Sequence, residues 1–268
     1  MPANADGFPP EYLELGSPGA VRRIAVRAQA GASPGLFWLG GFKSDMRGTK
    51  AEALARWAAE HGRACIRFDY SGHGESSGDF HEGTIGHWLD ESVAVFDAFC
   101  RGPQILIGSS MGGWIALLLA RALKTRGTAA PPASIAGLVL IAPAVDFTEA
   151  LMWRKLSTQL KHTMLDRGFV ALPSQYSAEP YVITRKLIEE GRNHLMLRGM
   201  VETGCPVRIL QGVQDPDVPW DHAVELVSHL AQDDVVLTLV KDGDHRLSRP
   251  EDIERLIAAV QEFDPVPV

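Results

Sequence analysis

The chain has 268 residues, of which 46% are hydrophobic and 22% charged, a globular composition that excludes disordered and collagen-like chains. Lys and Arg number 26, Asp and Glu 33, and the resulting net charge of −7 argues against non-specific binding to nucleic acid or anionic membranes. The three cysteines, Cys65, Cys100 and Cys205, form no CxxC pair and predict neither a disulfide framework nor a zinc site.

Strand and helix patterns alternate along most of the chain. After a short strand within the first twenty residues, the hydrophobic patterns predict, in chain order, strand 22–28, strand 36–39, helix 49–61, strand 64–70, helix 87–100, strand 104–107, helix 111–124, strand 138–142, strand 207–212, helix 221–231, strand 235–240 and helix 250–263. Such alternation is typical of parallel strands covered by helices on both faces. The predicted fold class is therefore α/β, with a mostly parallel sheet of eight strands.

The alternation breaks once, in residues 148–203, where the pattern is helical and no convincing strand is present. A segment of this size is too long for an ordinary loop and needs structure of its own. We therefore expect an α/β core made of residues 1–147 and 204–268, with a helical cap formed by the segment between them. Trp153 and Met164 recur in this segment at helical spacing, and we expect them to line an apolar substrate pocket.

The N-terminal residues and the hydropathy of the chain bear on its location. No run of 18 apolar residues occurs, so no membrane span or stable membrane insertion is expected. Asp6, Glu11 and Glu14 precede the first arginine, which is unlike a signal peptide or a mitochondrial transit peptide. These patterns predict a cytoplasmic protein.

The clearest motif is Gly-Ser-Ser-Met-Gly at 108–112, a G-x-S-x-G sequence with Ser110 at its centre. It follows the apolar strand 104–107 and opens the apolar helix 111–124, which is the context of a nucleophile elbow. On such a sharp turn the serine is exposed at the carboxyl edge of the sheet, and small flanking residues relieve crowding. The alternative is a glycine-rich turn whose serine has no catalytic role. The strand–turn–helix context favours Ser110 as a nucleophile.

A serine nucleophile needs a base and an orienting acid, and this elbow predicts the order nucleophile, acid, histidine along the chain. Asp215 lies just past strand 207–212 and is the predicted acid. Asp217 is a nearby alternative that would otherwise be a turn residue. Asp146, which follows the preceding strand, is a second alternative.

His245 is the predicted base. It follows strand 235–240 by a short polar turn, which places it at the same sheet edge as Ser110 and Asp215. Of the nine histidines, it is the one that lies at the carboxyl end of a strand after both other members of the triad. Its neighbours Asp242 and Asp244 are interpreted as turn formers.

Acyl transfer also needs two N–H donors for the developing oxyanion. The residue after the nucleophile, Met111, supplies one of them in this type of elbow. The paired glycines Gly40 and Gly41, in the loop after strand 36–39, allow a tight turn and make the N–H of Phe42 the expected second donor. A plain glycine turn is the alternative interpretation.

A second glycine-rich loop, residues 69–78, contains His73 between two glycines. A dinucleotide-binding loop would require G-x-G-x-x-G at the start of a helix, whereas this sequence continues into a polar loop. We interpret it as a structural loop.

Together these residues resemble the α/β-hydrolase superfamily over nearly the whole chain. Three short stretches, at 41–50, 109–114 and 243–247, resemble the mitochondrial palmitoyl-protein thioesterase family, also known as the mycophenolic acid acyl-glucuronide esterase. This resemblance implies an α/β-hydrolase fold, a triad of Ser110, Asp215 and His245, and an acyl thioester or ester as substrate. Many relatives begin the oxyanion loop with His-Gly, where this chain has two glycines.

The expected activity is that of a serine hydrolase that cleaves acyl esters or thioesters through an acyl-enzyme, on small molecules or acylated proteins. No metal or organic cofactor is expected in this chemistry. Epoxide hydrolases and haloalkane dehalogenases carry aspartate at the elbow, so Ser110 argues against them. A peptidase or a C–C bond hydrolase keeps the serine and stays open, as does a non-catalytic ligand-binding module.

Overall fold

The computed structural model describes residues 9–17, 21–126, 133–172, 180–230 and 234–264. The strands in these ranges are β1 (Glu11–Leu15), β2 (Arg22–Gln29), β3 (Ala32–Leu39), β4 (Arg63–Phe68), β5 (Gly102–Ser109), β6 (Ala133–Ile141), β7 (Phe169–Leu172), β8 (Tyr181–Thr184), β9 (Val207–Gly212) and β10 (Val235–Val240). The α-helices are α1 (Thr49–Glu60), α2 (Ile85–Phe99), α3 (Met111–Thr125), α4 (Thr158–Arg167), α5 (Arg185–Gly191), α6 (Trp220–His229) and α7 (Pro250–Gln261).

Eight strands form one sheet in the order β1-β2-β4-β3-β5-β6-β9-β10. The pairs β1–β2 and β2–β4 are antiparallel, and every other pair in this sheet is parallel. The α/β fold class with a mostly parallel eight-stranded sheet is thus confirmed, and the short first strand lies at its edge.

Both faces of the sheet are covered because the central strands are apolar on both sides. Ile105, Leu106 and Ile107 of β5 are fully buried, as a strand inside a doubly covered parallel sheet requires. One face packs its apolar side chains against α2, α3 and α6. The other face packs against α1 and α7. The core thus has two layers of side chains, one above and one below the sheet.

The parallel register brings the carboxyl ends of four strands to one edge. At this edge lie the loop that follows β3, the turn that follows β5, and the loops that follow β9 and β10. These loops carry Phe42, Ser110, Asp215 and His245, which are separated by long stretches of sequence. Open parallel sheets bind ligands at this edge, so the topology positions the candidate site.

Residues 148–203 contribute no described strand to the eight-stranded sheet and differ from the expected all-helical segment. They contain α4 and α5, but β7 and β8 also pair as an antiparallel hairpin. The expectation that this segment lacks strands was therefore wrong. The two strands have the sequences FVAL and YVIT, which do not alternate between apolar and polar residues, so they give no period-two signal. Residues 173–179, which belong to the predicted cap, lie outside the described ranges.

Candidate active site

Ser110 is held in a strained backbone conformation between β5 and α3. Its φ of 55° and ψ of −117° are those of a turn position that glycine normally occupies. The surrounding backbone holds this geometry, because the Ser110 N–H donates to the carbonyl of Ile141 at 2.8 Å. The carbonyl of Ser110 accepts from the N–H groups of Gly113 and Ala144, at 2.9 and 3.1 Å. The serine side chain is thereby presented on a rigid turn.

The two glycines of the motif let the backbone pack closely around this turn. A Cβ atom on Gly108 would lie 2.3 Å from the carbonyl oxygen of Gly112. A Cβ atom on Gly112 would lie 2.0 Å from the carbonyl oxygen of Leu39, at the end of β3. Both contacts involve backbone atoms that cannot rotate away. The glycine spacing is therefore a packing requirement of the elbow.

The structure brings the three predicted triad side chains together. His245 Nε2 lies 3.1 Å from Ser110 Oγ, and His245 Nδ1 lies 2.7 Å from Asp215 Oδ2. The Asp215 carboxylate is fully buried, whereas the imidazole is 17% exposed. The imidazole thus bridges a buried acid and a hydroxyl that borders the cleft, which is the geometry of a serine nucleophile activated by a base.

Asp215 is fixed by donors on both of its oxygens. Oδ1 accepts the N–H groups of Asp217 and Val218, each at 2.9 Å. Oδ2 accepts from the side-chain amide of the buried Gln211 at 3.2 Å, in addition to facing His245. This network orients the carboxylate toward the imidazole. Gln211 was not identified from the sequence, because nothing in its position after an apolar run indicates a polar role.

The alternative acids have other partners. The carboxylate of Asp146 accepts the N–H groups of Met196 and Leu197 at 2.8 to 3.1 Å, and burial raises its pKa. The N–H of Asp217 supports Asp215. In the described structure, Asp215, Asp217 and His245 also offer one possible metal-ligand atom each within 4.8 Å of one another. The hydrogen bond between Asp215 and His245, however, directs these two groups at each other.

The two predicted oxyanion donors, Phe42 and Met111, lie in the turn after β3 and at the start of α3. Met111 is the first residue of α3, where backbone N–H groups have no acceptor within the helix. Phe42 lies in the turn after β3, which the Ser44 N–H closes onto the Gly41 carbonyl at 3.1 Å. Both residues line the same cavity as Ser110. Their roles as donors stay predictions.

A cavity of about 560 Å³ opens next to Ser110 and His245. Its apolar wall comes mainly from residues 148–203, through the side chains of Leu151, Met152, Leu156, Leu160, Leu172, Tyr181 and Ile183, and Phe147 adds to it. The ring of Phe42 extends this wall, since its centroid lies 5.7 Å from that of Phe147 and 6.2 Å from that of Tyr181. The volume falls in the range of small-molecule sites.

The predicted pocket residues Trp153 and Met164 do not belong to this lining among the described residues. Met164 is fully buried behind the cavity wall, in an apolar cluster that also contains the lining residues Leu156 and Ile183. The ring of Trp153 packs under the cation of Arg192, 5.0 Å from the ring centroid. The described lining therefore does not include the two predicted pocket residues, because helical periodicity indicates burial and not which buried side chains face the cavity.

Lys50 connects α1 to the loop that carries His245, and the sequence did not single it out. Its Nζ donates to the carbonyl of Arg246, the residue after His245, and lies 3.4 Å from Ser248 Oγ. Burial lowers the pKa of Lys50 to about 8. The ammonium therefore anchors the backbone of the histidine loop, and Lys50 itself lines the cavity.

Comparison with known proteins identifies the family. The family model described as serine aminopeptidase, S33, matches residues 41–190. The human mitochondrial palmitoyl-protein thioesterase ABHD10 is 35% identical over 241 residues, which cover 90% of this chain and 76% of the relative. The chain belongs to the ABHD10 family of α/β-hydrolases. The bovine ABHD10 is also 35% identical over the same span.

Solved structures agree with membership in the ABHD10 family. A hydrolase from Agrobacterium vitis S4 superimposes with a TM-score of 0.92 at 49% identity, covering 96% of this chain and 98% of the other. Mouse ABHD10 superimposes with a TM-score of 0.83 at 32% identity, covering 94% and 98%. The resemblance to the palmitoyl-protein thioesterases is thereby confirmed. This member of the ABHD10 family is an α/β-hydrolase that acts on esters or thioesters.

The ABHD10 relatives also correct the predicted location. Their names place them in mitochondria, which contradicts the cytoplasmic location expected from the sequence. That expectation relied on the charge pattern of the first fifteen residues, of which 1–8 lie outside the described ranges. Within the described residues, no helix combines the length and the apolar character needed to cross a bilayer.

Proposed function

We propose that this protein hydrolyses medium-chain or long-chain acyl thioesters and esters through an acyl-enzyme on Ser110. The observation that supports this most directly is the pair of hydrogen-bond contacts that link Ser110, His245 and Asp215 beside an apolar cavity. His245 acts as the base, and Asp215 holds the imidazole and stabilises its charged form.

In the first half of the reaction, Ser110 Oγ attacks the acyl carbon while His245 Nε2 takes the hydroxyl proton. The oxyanion of the tetrahedral intermediate accepts hydrogen bonds from the N–H groups of Phe42 and Met111, each contributing about 2.7–4 kcal/mol in the transition state. His245 then gives its proton to the departing thiolate or alkoxide. In the second half, water attacks the acyl-enzyme, and His245 takes a proton from it and returns one to Ser110.

We propose that residues 148–203 act as a cap on a core made of residues 1–147 and 204–268. In the described part of this segment, the side chains of Leu151, Met152, Leu156 and Ile183 give the cavity an apolar wall next to the serine. Burying an acyl chain there stabilises the complex by about 0.8 kcal/mol per methylene group. The palmitoyl-protein thioesterase activity named for the relatives supports an acylated protein as one substrate, and a small acyl ester or thioester as another.

An aminopeptidase is the alternative that the description of the family model raises. An aminopeptidase must hold the positive amino terminus of its substrate, which favours carboxylates near the serine. The described lining of this cavity contains four basic side chains, Lys43, Lys50, Lys155 and Arg246, and one acidic side chain, Asp217. This balance of charge favours an acyl substrate without a free amine.

A chain-length series tests the proposal. We expect octanoyl and palmitoyl thioesters to be hydrolysed at least tenfold faster than the acetyl thioester, as measured by kcat/KM, and an aminoacyl anilide to be a poor substrate. Leu160→Trp reduces the volume of the cavity and should shift the substrate preference toward shorter acyl chains. Leu165→Trp, at an exposed position on the same helix, should leave this preference unchanged. A tenfold preference for acetyl, or faster cleavage of the anilide, would refute the proposal.

A further inference from the structure

The loop at residues 69–78 lies against the turn that carries the predicted oxyanion donor Phe42. His73 is the contact point, because its Nε2 lies 3.2 Å from the backbone nitrogen of Lys43. His73 is buried, with 4% of the residue exposed, so this contact is shielded from solvent. The sequence alone indicated a structural loop at residues 69–78 and assigned no role to His73.

Lys43, whose N–H faces His73, occupies a turn position whose backbone conformation is unfavourable for residues other than glycine. The Ser44 N–H closes the turn onto the Gly41 carbonyl, and Lys43 occupies the third position with a φ of 58°. Phe42 is not among the residues with positive φ, so the turn is of type II, which strongly prefers glycine at this third position. A lysine in this conformation is held there by its surroundings, and the hydrogen bond to His73 is one such restraint.

This restraint reaches Phe42 through the backbone of the turn. The peptide before Phe42 is fixed through the Gly41 carbonyl, which accepts from Ser44. The peptide after Phe42 is fixed through the Lys43 N–H, which donates to His73. Since N–H and C=O point in opposite directions in a trans peptide, the first bond sets the direction of the Phe42 N–H. The second bond prevents the neighbouring peptide from rotating.

The hydrogen-bond partners of His73 define its protonation state. Nδ1 lies 3.1 Å from the carbonyl oxygen of Ser71, which can only accept, so Nδ1 carries the proton. Nε2 faces an N–H donor and must therefore be unprotonated. The ring also sits among the aromatic rings of Tyr70, Phe80 and Trp88, with centroids 5.1 to 5.6 Å away. Burial lowers the pKa of His73 to about 4, which keeps the ring neutral.

The same stretch of chain also anchors the far end of the loop after β3. Asp69 Oδ1 accepts the N–H of Met46 at 2.7 Å, and the Arg67 guanidinium donates to the Met46 carbonyl at 2.9 Å. A Cβ atom on Gly74 would lie 2.1 Å from Asp69 Oδ2, so the glycine is required for the carboxylate to sit there. The loop after β3 is thus held at two points by residues 67–74.

We propose that His73 is a positioning residue for the oxyanion turn: its neutral imidazole accepts the Lys43 N–H and keeps the Phe42 N–H aimed at the oxyanion. This role rests on the proposed acyl-transfer function of Ser110. His73 touches no reacting atom and acts through the backbone of Phe42 and Lys43. Donors of this kind are effective only when they are oriented before the reaction begins.

Two substitutions at His73 distinguish the effect of its hydrogen bond from the effect of the packing of its ring. His73→Phe keeps an aromatic ring among those of Tyr70, Phe80 and Trp88 but cannot accept a hydrogen bond. We expect its kcat to fall at least 30-fold and its KM to stay within threefold of the wild-type value. His73→Gln can place an amide oxygen near the position of Nε2, and we expect its kcat within fivefold of the wild type. His222→Phe, which alters another buried histidine whose ring bonds to a backbone carbonyl, is the matched control.

Affinity for a trifluoromethyl ketone, whose adduct with the serine carries an oxyanion, should fall in His73→Phe by the same factor as kcat. The loss of kcat should also shrink at least fivefold when His73→Phe is made in a Lys43→Gly background, because glycine adopts the turn without a restraint. The proposal is overturned if His73→Phe retains kcat, if His73→Gln loses as much kcat as His73→Phe, or if the Lys43→Gly background leaves the loss unchanged.

A measurement independent of activity separates this inference from the proposed function. In ¹⁵N NMR spectra of the labelled wild-type protein, His73 should show a protonated Nδ1 and an unprotonated Nε2 throughout pH 5.5–8. A protonated Nε2 in this range would overturn the role of His73, even in an active enzyme. If no acyl substrate is hydrolysed by the wild type, the proposed function fails, and the NMR result still decides whether His73 Nε2 accepts the Lys43 N–H.

Discussion

The two oxygens of the Asp215 carboxylate are divided between the loop backbone and His245. Oδ1 accepts the N–H groups of Asp217 and Val218, while Oδ2 lies 2.7 Å from His245 Nδ1. The backbone therefore fixes the direction in which the carboxylate faces the imidazole. An amide at this position could not satisfy every donor, because its NH₂ group would face either the backbone N–H groups or a protonated Nδ1.

Asp215→Asn should reduce kcat by about 10⁴-fold, because the imidazole would lose the carboxylate that selects its productive tautomer. Asp217→Asn keeps the backbone N–H that supports Asp215 and should reduce kcat less than tenfold. Steady-state kinetics on one acyl thioester measures both variants. The reverse pattern would transfer the role of acid to Asp217.

Removing the strain at Ser110 should stabilise the protein. The φ of 55° and ψ of −117° suit glycine, so Ser110→Gly should be more stable than Ser110→Ala by about 1–3 kcal/mol. Both variants lose the hydroxyl, and the comparison therefore isolates the backbone effect. Urea unfolding with equal m-values measures the difference. Equal stability of the two variants would show that the elbow holds no such strain.

The close packing of the elbow predicts a large cost for any side chain at Gly112. Its Cβ would lie 2.0 Å from the carbonyl oxygen of Leu39, and relief of this contact requires the backbone to move. We expect Gly112→Ala to lower the free energy of unfolding by roughly 3 kcal/mol or more. Gly199→Ala, where a Cβ meets nothing within 4 Å, is the control and should change stability little. Similar unfolding curves for both variants would contradict the packing argument.

His73 should make stability depend on pH in a defined window. Its pKa is lowered from 6.5 to about 4 in the folded protein, so the unfolded chain binds a proton over this range and the folded chain does not. The contribution of His73 is therefore fully present above pH 6.5 and is lost as the pH falls toward 4, by about 3 kcal/mol in all.

His73→Gln lacks this titration, so its free energy of unfolding should fall about 3 kcal/mol less than that of the wild type between pH 7 and pH 4. Asp69, whose pKa burial raises to about 6, acts in the opposite direction but is common to both proteins. The difference between the two proteins therefore reports on His73. Parallel pH profiles of unfolding would show that His73 titrates normally in the folded state.

The fold and the convergence of the three candidate triad residues could be anticipated because each leaves a local signal in the sequence. The apolar strands alternate with periodic helices, and Ser110, Asp215 and His245 each follow a strand at a short distance. Parallel pairing of those strands then brings the three side chains to one edge. The positions of the triad members thus followed from short-range patterns combined with one topological rule.

The cavity wall and the support of the oxyanion turn could not be anticipated in the same way. Met164 shows the periodicity of a buried residue, but it lies behind the lining residues Leu156 and Ile183 and does not reach the cavity. The strands β7 and β8 do not alternate between apolar and polar residues, so the hairpin they form left no strand signal. His73 acts on a backbone N–H thirty residues earlier in the chain, and such a contact depends on tertiary structure alone.

The central claim is that Ser110 is the nucleophile and His245 its base, and active-site labelling tests it most directly. Incubation with a fluorophosphonate followed by peptide mass spectrometry should find a single modified residue, Ser110. The modification should be absent in Ser110→Ala and at least 100-fold slower in His245→Ala. Labelling of another serine, or an unchanged labelling rate in His245→Ala, would contradict the account.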